Sequence, residues 1–162
     1  MMARELGLSE QRIGRVRLAG LLHDIGKVGV PDSILNKPES LSREEVATIR
    51  THPVLGAQIL EHPSLADVRA WVASHHERPD GQGYPHGLSG SALELEARIL
   101  AAADAYEAMT SDRAYRTSIG HAAARAELRR AAGSQFDARV VEALLAVLGH
   151  DSAPFSVVKD AA

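Results

Sequence analysis

Residues 9–27 read Ser-Glu-Gln-Arg-Ile-Gly-Arg-Val-Arg-Leu-Ala-Gly-Leu-Leu-His-Asp-Ile-Gly-Lys. Ser9 followed by Glu10 and Gln11 is a helix start. The apolar positions Ile13, Val16, Leu21 and Leu22 carry that helix to His23-Asp24. Gly26 and Gly29-Val30-Pro31 are expected to close it, because glycine accepts a left-handed cap and the Val30–Pro31 step disfavours helix. A helix that ends on an imidazole and a carboxylate, followed at once by Lys27, sets the pattern for the rest of the chain.

Working outward, the same grammar recurs. Leu41-Ser42-Arg43-Glu44-Glu45-Val46 predicts a helix N-terminus with Ser42 and Glu45 as a capping box and Leu41 and Val46 as a hydrophobic staple. Pro53 should break or restart that helix, which places His52 at a junction. His62-Pro63 marks a third break, with Ser64 expected to cap a helix whose stripe is Leu65, Val68 and Val72 and whose far end is His75-His76. Pro79-Asp80-Gly81-Gln82-Gly83-Tyr84-Pro85, with Gly87 and Gly90, is a turn-rich loop. Helix resumes near Ala92, with Leu95, Ile99, Ala103 and Tyr106 along one side and Asp104 inside it. Ser118 is expected to cap a helix ending at Gly133. Asp137 caps one ending at Gly149 whose Val141, Leu144, Leu145 and Leu148 face inward. The reading is one all-α domain over residues 1–150 with a C-terminal tail, 151–162.

Composition agrees. A chain of 162 residues can bury one core. One Trp, three Tyr and two Phe are few for a β-sandwich. The absence of cysteine excludes a disulfide scaffold, a thiolate zinc finger and a cysteine nucleophile. A net charge of −3 argues against binding polymeric nucleic acid. No apolar run approaches the roughly 18 residues needed to span a bilayer, and Met1 to Leu6 lacks the core of a signal peptide, so no membrane partner and a cytoplasmic location are expected.

Eight histidines are the unusual feature. His23, Asp24, His52, His75, His76 and Asp104 fall at element ends or on a helix flank that could line one pocket. Imidazole with carboxylate suits iron, manganese or zinc. Adjacent helical residues point about 100° apart, so His23 and Asp24 cannot act as a same-face pair; they could share a site at a bundle's centre, where ligands from several helices converge. Each residue also has a plainer reading: a solvated helix end, an exposed Asp104, a local Asp24–Lys27 ion pair, an ordinary turn at Tyr84. Spacing alone leaves both open.

The order of whole motifs points one way. His23-Asp24-Ile25-Gly26-Lys27 and Thr51-His52-Pro53-Val54-Leu55-Gly56-Ala57 resemble the HD superfamily of metal-dependent phosphohydrolases. The run from His75-His76-Glu77 through Gly83-Tyr84-Pro85 to Gly90 is similar to the signature of its HD-GYP subfamily, as are Ala97-Arg98-Ile99 and the stretch from Asp104 to Arg116. The resemblance covers roughly residues 3 to 148. It implies an HD-domain-like helical bundle with a metal site at its centre, and metal-dependent hydrolysis of cyclic di-GMP to linear pGpG or GMP.

By the same resemblance the metal ligands are His23, Asp24, His52, His75, His76 and Asp104, holding two divalent ions, iron or manganese, with Asp24 between them. Asp24 and Lys27 would be catalytic. Lys27, Gly83, Tyr84, Pro85, Arg113 and Arg116 would contact substrate, the arginines at its phosphates. The chain departs from the family at Glu94 and Ala114, where proline is common, and at Glu107, where aspartate is. Family members also carry a further metal-binding histidine upstream of a segment like Ala3–Ser9, and no histidine precedes His23. The expectation is a chain cut short or a site one ligand short, holding one ion. The alternative function is a catalytically impaired signalling module that binds cyclic di-GMP or a partner protein. A sensory or regulatory partner and a homodimer complete the expectations, with His62, His86, His121 and His150 as bystanders.

Overall fold

In a computed structural model of the chain, residues 2–112 and 117–150 are described, the side chain of His150 excepted. Nine α-helices follow one another among them: α1 (Met2–Glu5), α2 (Glu10–Leu22), α3 (Asp32–Leu35), α4 (Arg43–Ile49), α5 (His52–Ile59), α6 (Ala66–Ser74), α7 (Leu95–Thr110), α8 (Gly120–Ala131) and α9 (Ala138–His150). Short 3-10 turns at Ile25–Gly29, Pro63–Leu65 and Gly90–Ala92 connect them. The described residues form no named strand; the lone bridge joins Ala132 and Phe136. The expected all-α bundle is what the chain forms.

The core runs between α2, α6, α7 and α9. Ile13, Val68, Trp71, Val72, Leu93, Leu128, Val140 and Val141 are almost wholly buried, each stabilising the fold by about 1.5–3 kcal/mol through loss of apolar contact with water. Trp71 keeps its polar edge satisfied by donating its indole N–H to Glu94 Oε2 at 2.9 Å. Glu94 is also the N-cap residue of α7, so the departure from proline there gives the core tryptophan a hydrogen-bond acceptor.

Local grammar is realised where the determinants are local. Ser9 caps α2 by accepting from Arg12 N–H. Ser42 and Glu45 form the capping box of α4, and Asp137 Oδ1 accepts from the amides of Arg139 and Val140 at the start of α9. Four readings are corrected. Gly26 is not a left-handed cap, since its φ is not positive; it sits in the Ile25–Gly29 turn, where a Cβ would lie 1.9 Å from the His52 carbonyl oxygen. His62, not Ser64, accepts the amide hydrogen bond that opens the third region. Helix α8 starts at Gly120 after Ile119, and the Ser118 N–H donates to Asp112 instead. Leu21 is 83% exposed and Ala103 is exposed too, because Ala19 and Ala102 occupy the inward positions of their helices.

The Gly26 contact positions the site. A glycine there lets the turn after α2 lie directly on the first turn of α5, with Gly56 facing it one turn on. The end of α2 is thereby held against His52.

Candidate metal centre

Three of the histidines use one device. His23 Nδ1 donates to the Gly20 carbonyl at 2.7 Å, His52 Nδ1 to Ile49 at 2.8 Å, and His75 Nδ1 to Val72 at 2.7 Å. Each acceptor lies three residues earlier, in the last turn of α2, α4 or α6, where helix carbonyls lack an intrahelical partner. The ring therefore closes the open end of the helix that precedes it in the chain, and the hydrogen bond assigns the proton to Nδ1. In His52 and His75 the Nε2 is left with a lone pair, aimed away from the helix it caps.

Those lone pairs converge. His52 Nε2 and His75 Nε2 stand 3.3 Å apart, and His52 Nε2 is 3.3 Å from Asp24 Oδ1. His76 packs against both imidazoles, with ring centroids 4.1 Å from His75 and 5.0 Å from His52. One ring nitrogen from each of His52, His75 and His76 fits within a 4.8 Å span. On the near side, His23 Nε2 lies 3.4 Å from Asp24 Oδ2 and 3.8 Å from Asp104 Oδ1. Lys27 Nζ donates to Asp24 Oδ2 at 2.6 Å.

Acceptor facing acceptor at such distances repels unless a cation lies among them. The separation of 3.3 Å between the two Nε2 atoms is one that two imidazoles bound to a single ion at about 2.1 Å can have. The residues present therefore fit a divalent metal. The helix ends help, since the C-termini of α2 and α6 direct their negative dipole ends inward.

Electrostatics keep the donors ready. Burial holds His75 at a pKa of about 4 and His76 at about 3, with the neighbouring His75 and His52 rings adding to the effect. Burial lowers His52 as well. These three are neutral at pH 7 and need lose no proton to ligate. His23 goes the other way, raised chiefly by its hydrogen bond to Asp104. Burial works to raise Asp24, but the Lys27 ammonium and the His23 imidazole outweigh it and hold the carboxyl low. Asp104 is likewise lowered against its burial, by His23 first.

The glycine-rich loop roofs the site. Gly83 passes so close to the preceding turn that a Cβ would lie 2.5 Å from Arg78 N and Glu77 Cα. Tyr84 N–H donates to the His76 carbonyl at 3.2 Å, and its ring stacks on His76 at 4.8 Å. The Tyr84–Pro85 bond is cis, and both residues border an apolar groove with Val54 and Leu55. A pocket of about 320 Å3 opens over His75, His76 and Asp104.

Two residues of the site carry no mark in the sequence reading. Glu77 is 1% exposed, and its carboxylate accepts the amides of His86 at 2.6 Å and Leu88 at 3.0 Å, pinning the loop. Its place between His76 and the turn cluster is the signal that could have found it. Arg50 lies over the Tyr84 ring at 4.9 Å, a contact no local pattern announces. Of the remaining histidines, His62 is a cap and His121 Nδ1 meets the Tyr106 hydroxyl at 2.8 Å. Arg113, Ala114 and Arg116 lie outside the described residues.

Comparison with known proteins agrees with this geometry. The HD domain family matches residues 1–140. The chain is 43% identical over 148 residues to the cyclic di-GMP phosphodiesterase response regulator RpfG of Xanthomonas campestris pv. campestris (strain 8004), covering 90% of this chain and 39% of that protein. It is 42% identical over 119 residues to 3'3'-cGAMP-specific phosphodiesterase 1 of Vibrio cholerae, covering 73% of this chain and 28% of that one. The chain thus spans well under half the length of these relatives. Among solved structures, Bd1817, a HDG"Y"P protein from Bdellovibrio bacteriovorus, shares the fold with a TM-score of 0.72 at 23% identity, over 91% of this chain and 48% of the other. With its histidines, aspartates and Gly-Tyr-Pro loop in this order and this arrangement, the chain belongs to the HD domain family.

Proposed function

We propose that this chain is a metal-dependent phosphodiesterase unit that hydrolyses cyclic di-GMP, opening the ring to linear pGpG and cleaving that onward to GMP. The observation that carries the reading is the convergence of the His52, His75 and His76 nitrogens, with His52 beside one oxygen of Asp24 and Lys27 on the other. Relatives named for cyclic di-GMP and for 3'3'-cGAMP hydrolysis both match the chain, which supports a cyclic dinucleotide as the substrate class. No observation favours a binding-only module.

In this reading His23, Asp24, His52, His75, His76 and Asp104 would hold divalent ions, iron or manganese and two in number. When bound, the ions supply an activated water and offset negative charge on the phosphoryl oxygens. Water adds across a P–O bond, and the leaving sugar oxygen takes the proton. The Lys27 ammonium, anchored by Asp24, adds fixed positive charge where negative charge develops. Gly83 lets the loop backbone close over the site, and Tyr84 and Pro85 offer the substrate the apolar groove they border. Arg113 and Arg116 contribute phosphate contacts on the strength of the family resemblance. A doubly anionic ligand can then bind a protein that is acidic overall, because the local charges set the field. A sensory or regulatory protein would act on this unit as a partner.

Anaerobic incubation of the manganese- or iron-loaded chain with cyclic di-GMP and with 3'3'-cGAMP, followed by chromatography, tests the proposal. The expected products are pGpG and then GMP, with cyclic di-GMP turned over faster. Absence of linear product from both substrates overturns it.

A further inference from the structure

Arg50 and Arg78 line the pocket, Lys27 stands beside Asp24, and the surroundings of the three cations differ. Lys27 is engaged with Asp24 at 2.6 Å. Arg78 is engaged with Asp80 through Nε at 3.0 Å and Nη2 at 2.5 Å. Arg50 has no carboxylate partner among the described residues; its recorded contact is with the face of Tyr84, 4.9 Å from the ring centroid. Tyr84 in turn stacks on His76, with 4.8 Å between rings and 23° between their planes. The three form a continuous stack from a site imidazole to a free guanidinium at the pocket's rim, and Arg50 lines that pocket together with His75, His76 and Asp104.

Such an arrangement has a chemical meaning. Cation–π contact fixes the plane of the guanidinium without using its N–H groups, so its hydrogen-bonding edge stays available at little further cost in side-chain entropy. An edge of that kind binds a phosphodiester through paired, charge-assisted hydrogen bonds. A cyclic dinucleotide carries two phosphodiesters, and one of them occupies the reacting position beside Lys27.

We propose that Arg50 holds the second, non-reacting phosphate of the cyclic dinucleotide and so makes the site selective for substrates with two phosphodiesters. This inference rests on the phosphodiesterase reading above. Arg50 is a binding residue and touches no reacting atom.

The test compares wild type, Arg50→Ala and Arg50→Lys on cyclic di-GMP and on bis(p-nitrophenyl) phosphate, a diester with one phosphate and no base. For Arg50→Ala the KM for cyclic di-GMP should rise about tenfold with kcat within about twofold. The ratio of kcat/KM for cyclic di-GMP to that for the nitrophenyl diester should fall by a similar factor. Arg50→Lys, which keeps a point charge but loses the planar fork, should recover only a minor part of the loss. An unchanged KM in Arg50→Ala with wild type active on cyclic di-GMP overturns the inference and leaves the phosphodiesterase reading standing. So does an equal loss of kcat/KM on the nitrophenyl diester, which would place Arg50 at the reacting phosphate rather than at the second one. Wild type that neither binds nor cleaves cyclic di-GMP overturns both. Matching thermal melts of the three proteins exclude a folding defect.

Discussion

Asp24 places its two carboxylate oxygens on different neighbours: Oδ1 is 3.3 Å from His52 Nε2, and Oδ2 accepts the Lys27 ammonium at 2.6 Å. One carboxylate therefore joins the imidazole cluster to the fixed cation. Asp24→Asn keeps the shape and removes the charge. The expected outcome is loss of tightly held metal, measured as ions per chain after dialysis, and a fall in turnover of at least a hundredfold. The half-buried position should leave the melting temperature of the metal-free protein within a few degrees of wild type. Retained metal and activity would contradict the role given to Asp24.

Acid should destabilise the metal-free protein. His52, His75 and His76 are held neutral, their folded pKa values below the ordinary 6.5. Between those values and 6.5 the unfolded chain binds more protons, so stability is full above 6.5 and is lost as pH falls toward the lowered pKa values. At one pH unit per group costing about 1.4 kcal/mol, and with the raised His23 offsetting part of the loss, lowering the pH from 7 to 5 should remove about 2–4 kcal/mol. The raised His23 contributes oppositely, with stabilisation present below 6.5 and lost as pH rises through its folded pKa. Urea unfolding across pH 5–8 reads the balance, and His75→Gln should flatten the acid limb.

Gly26→Ala should be among the most damaging single-methyl changes in the chain. The added carbon would meet backbone, 1.9 Å from the His52 oxygen and 2.5 Å from the Gly56 nitrogen, and backbone cannot rotate away. A loss of about 3 kcal/mol or more is expected, seen as a lower denaturation midpoint, together with impaired metal retention. Gly14→Ala, where nothing lies within 4 Å of the new carbon, should be neutral or slightly stabilising because Gly14 lies inside α2.

Glu77→Gln probes the loop clamp. An amide can present one carbonyl oxygen to the His86 and Leu88 amides but not two. Hydrogen exchange at those two amides should accelerate severalfold or more, while exchange in α2 and α9 stays unchanged. If protection at His86 and Leu88 is unaltered, the carboxylate is not what orders the loop.

What the sequence made legible was short in range. The Ser42–Glu45 capping box and the Asp137 cap depend on three-residue spacings and are found where expected. The helix ends at His23 and His75 are marked by motif order as well as by periodicity. What escaped was tertiary. Gly26 looks like a terminator because glycine ends helices, yet its requirement comes from a helix thirty residues away. Ser64 is a better textual cap than His62, but His62 precedes the proline in an extended conformation that lets its ring reach the amide. Arg50 and Glu77 bear on the site through partners more than eight residues distant, Tyr84, His86 and Leu88. No local pattern could supply those partners. The Leu21 reading failed because one apolar residue in a helix can sit a third of a turn from the stripe beside it.

The backbone bonds at Nδ1 have a consequence for proton traffic. Each of His23, His52 and His75 keeps its Nδ1 hydrogen in a bond to the end of the helix before it, while the other nitrogen faces the crowded interior. A ring so committed has no free route by which to collect a proton on one side and release it on the other. These imidazoles are fixed furniture rather than couriers. Delivery of a proton to a departing oxygen must fall to solvent or to a group with an open path.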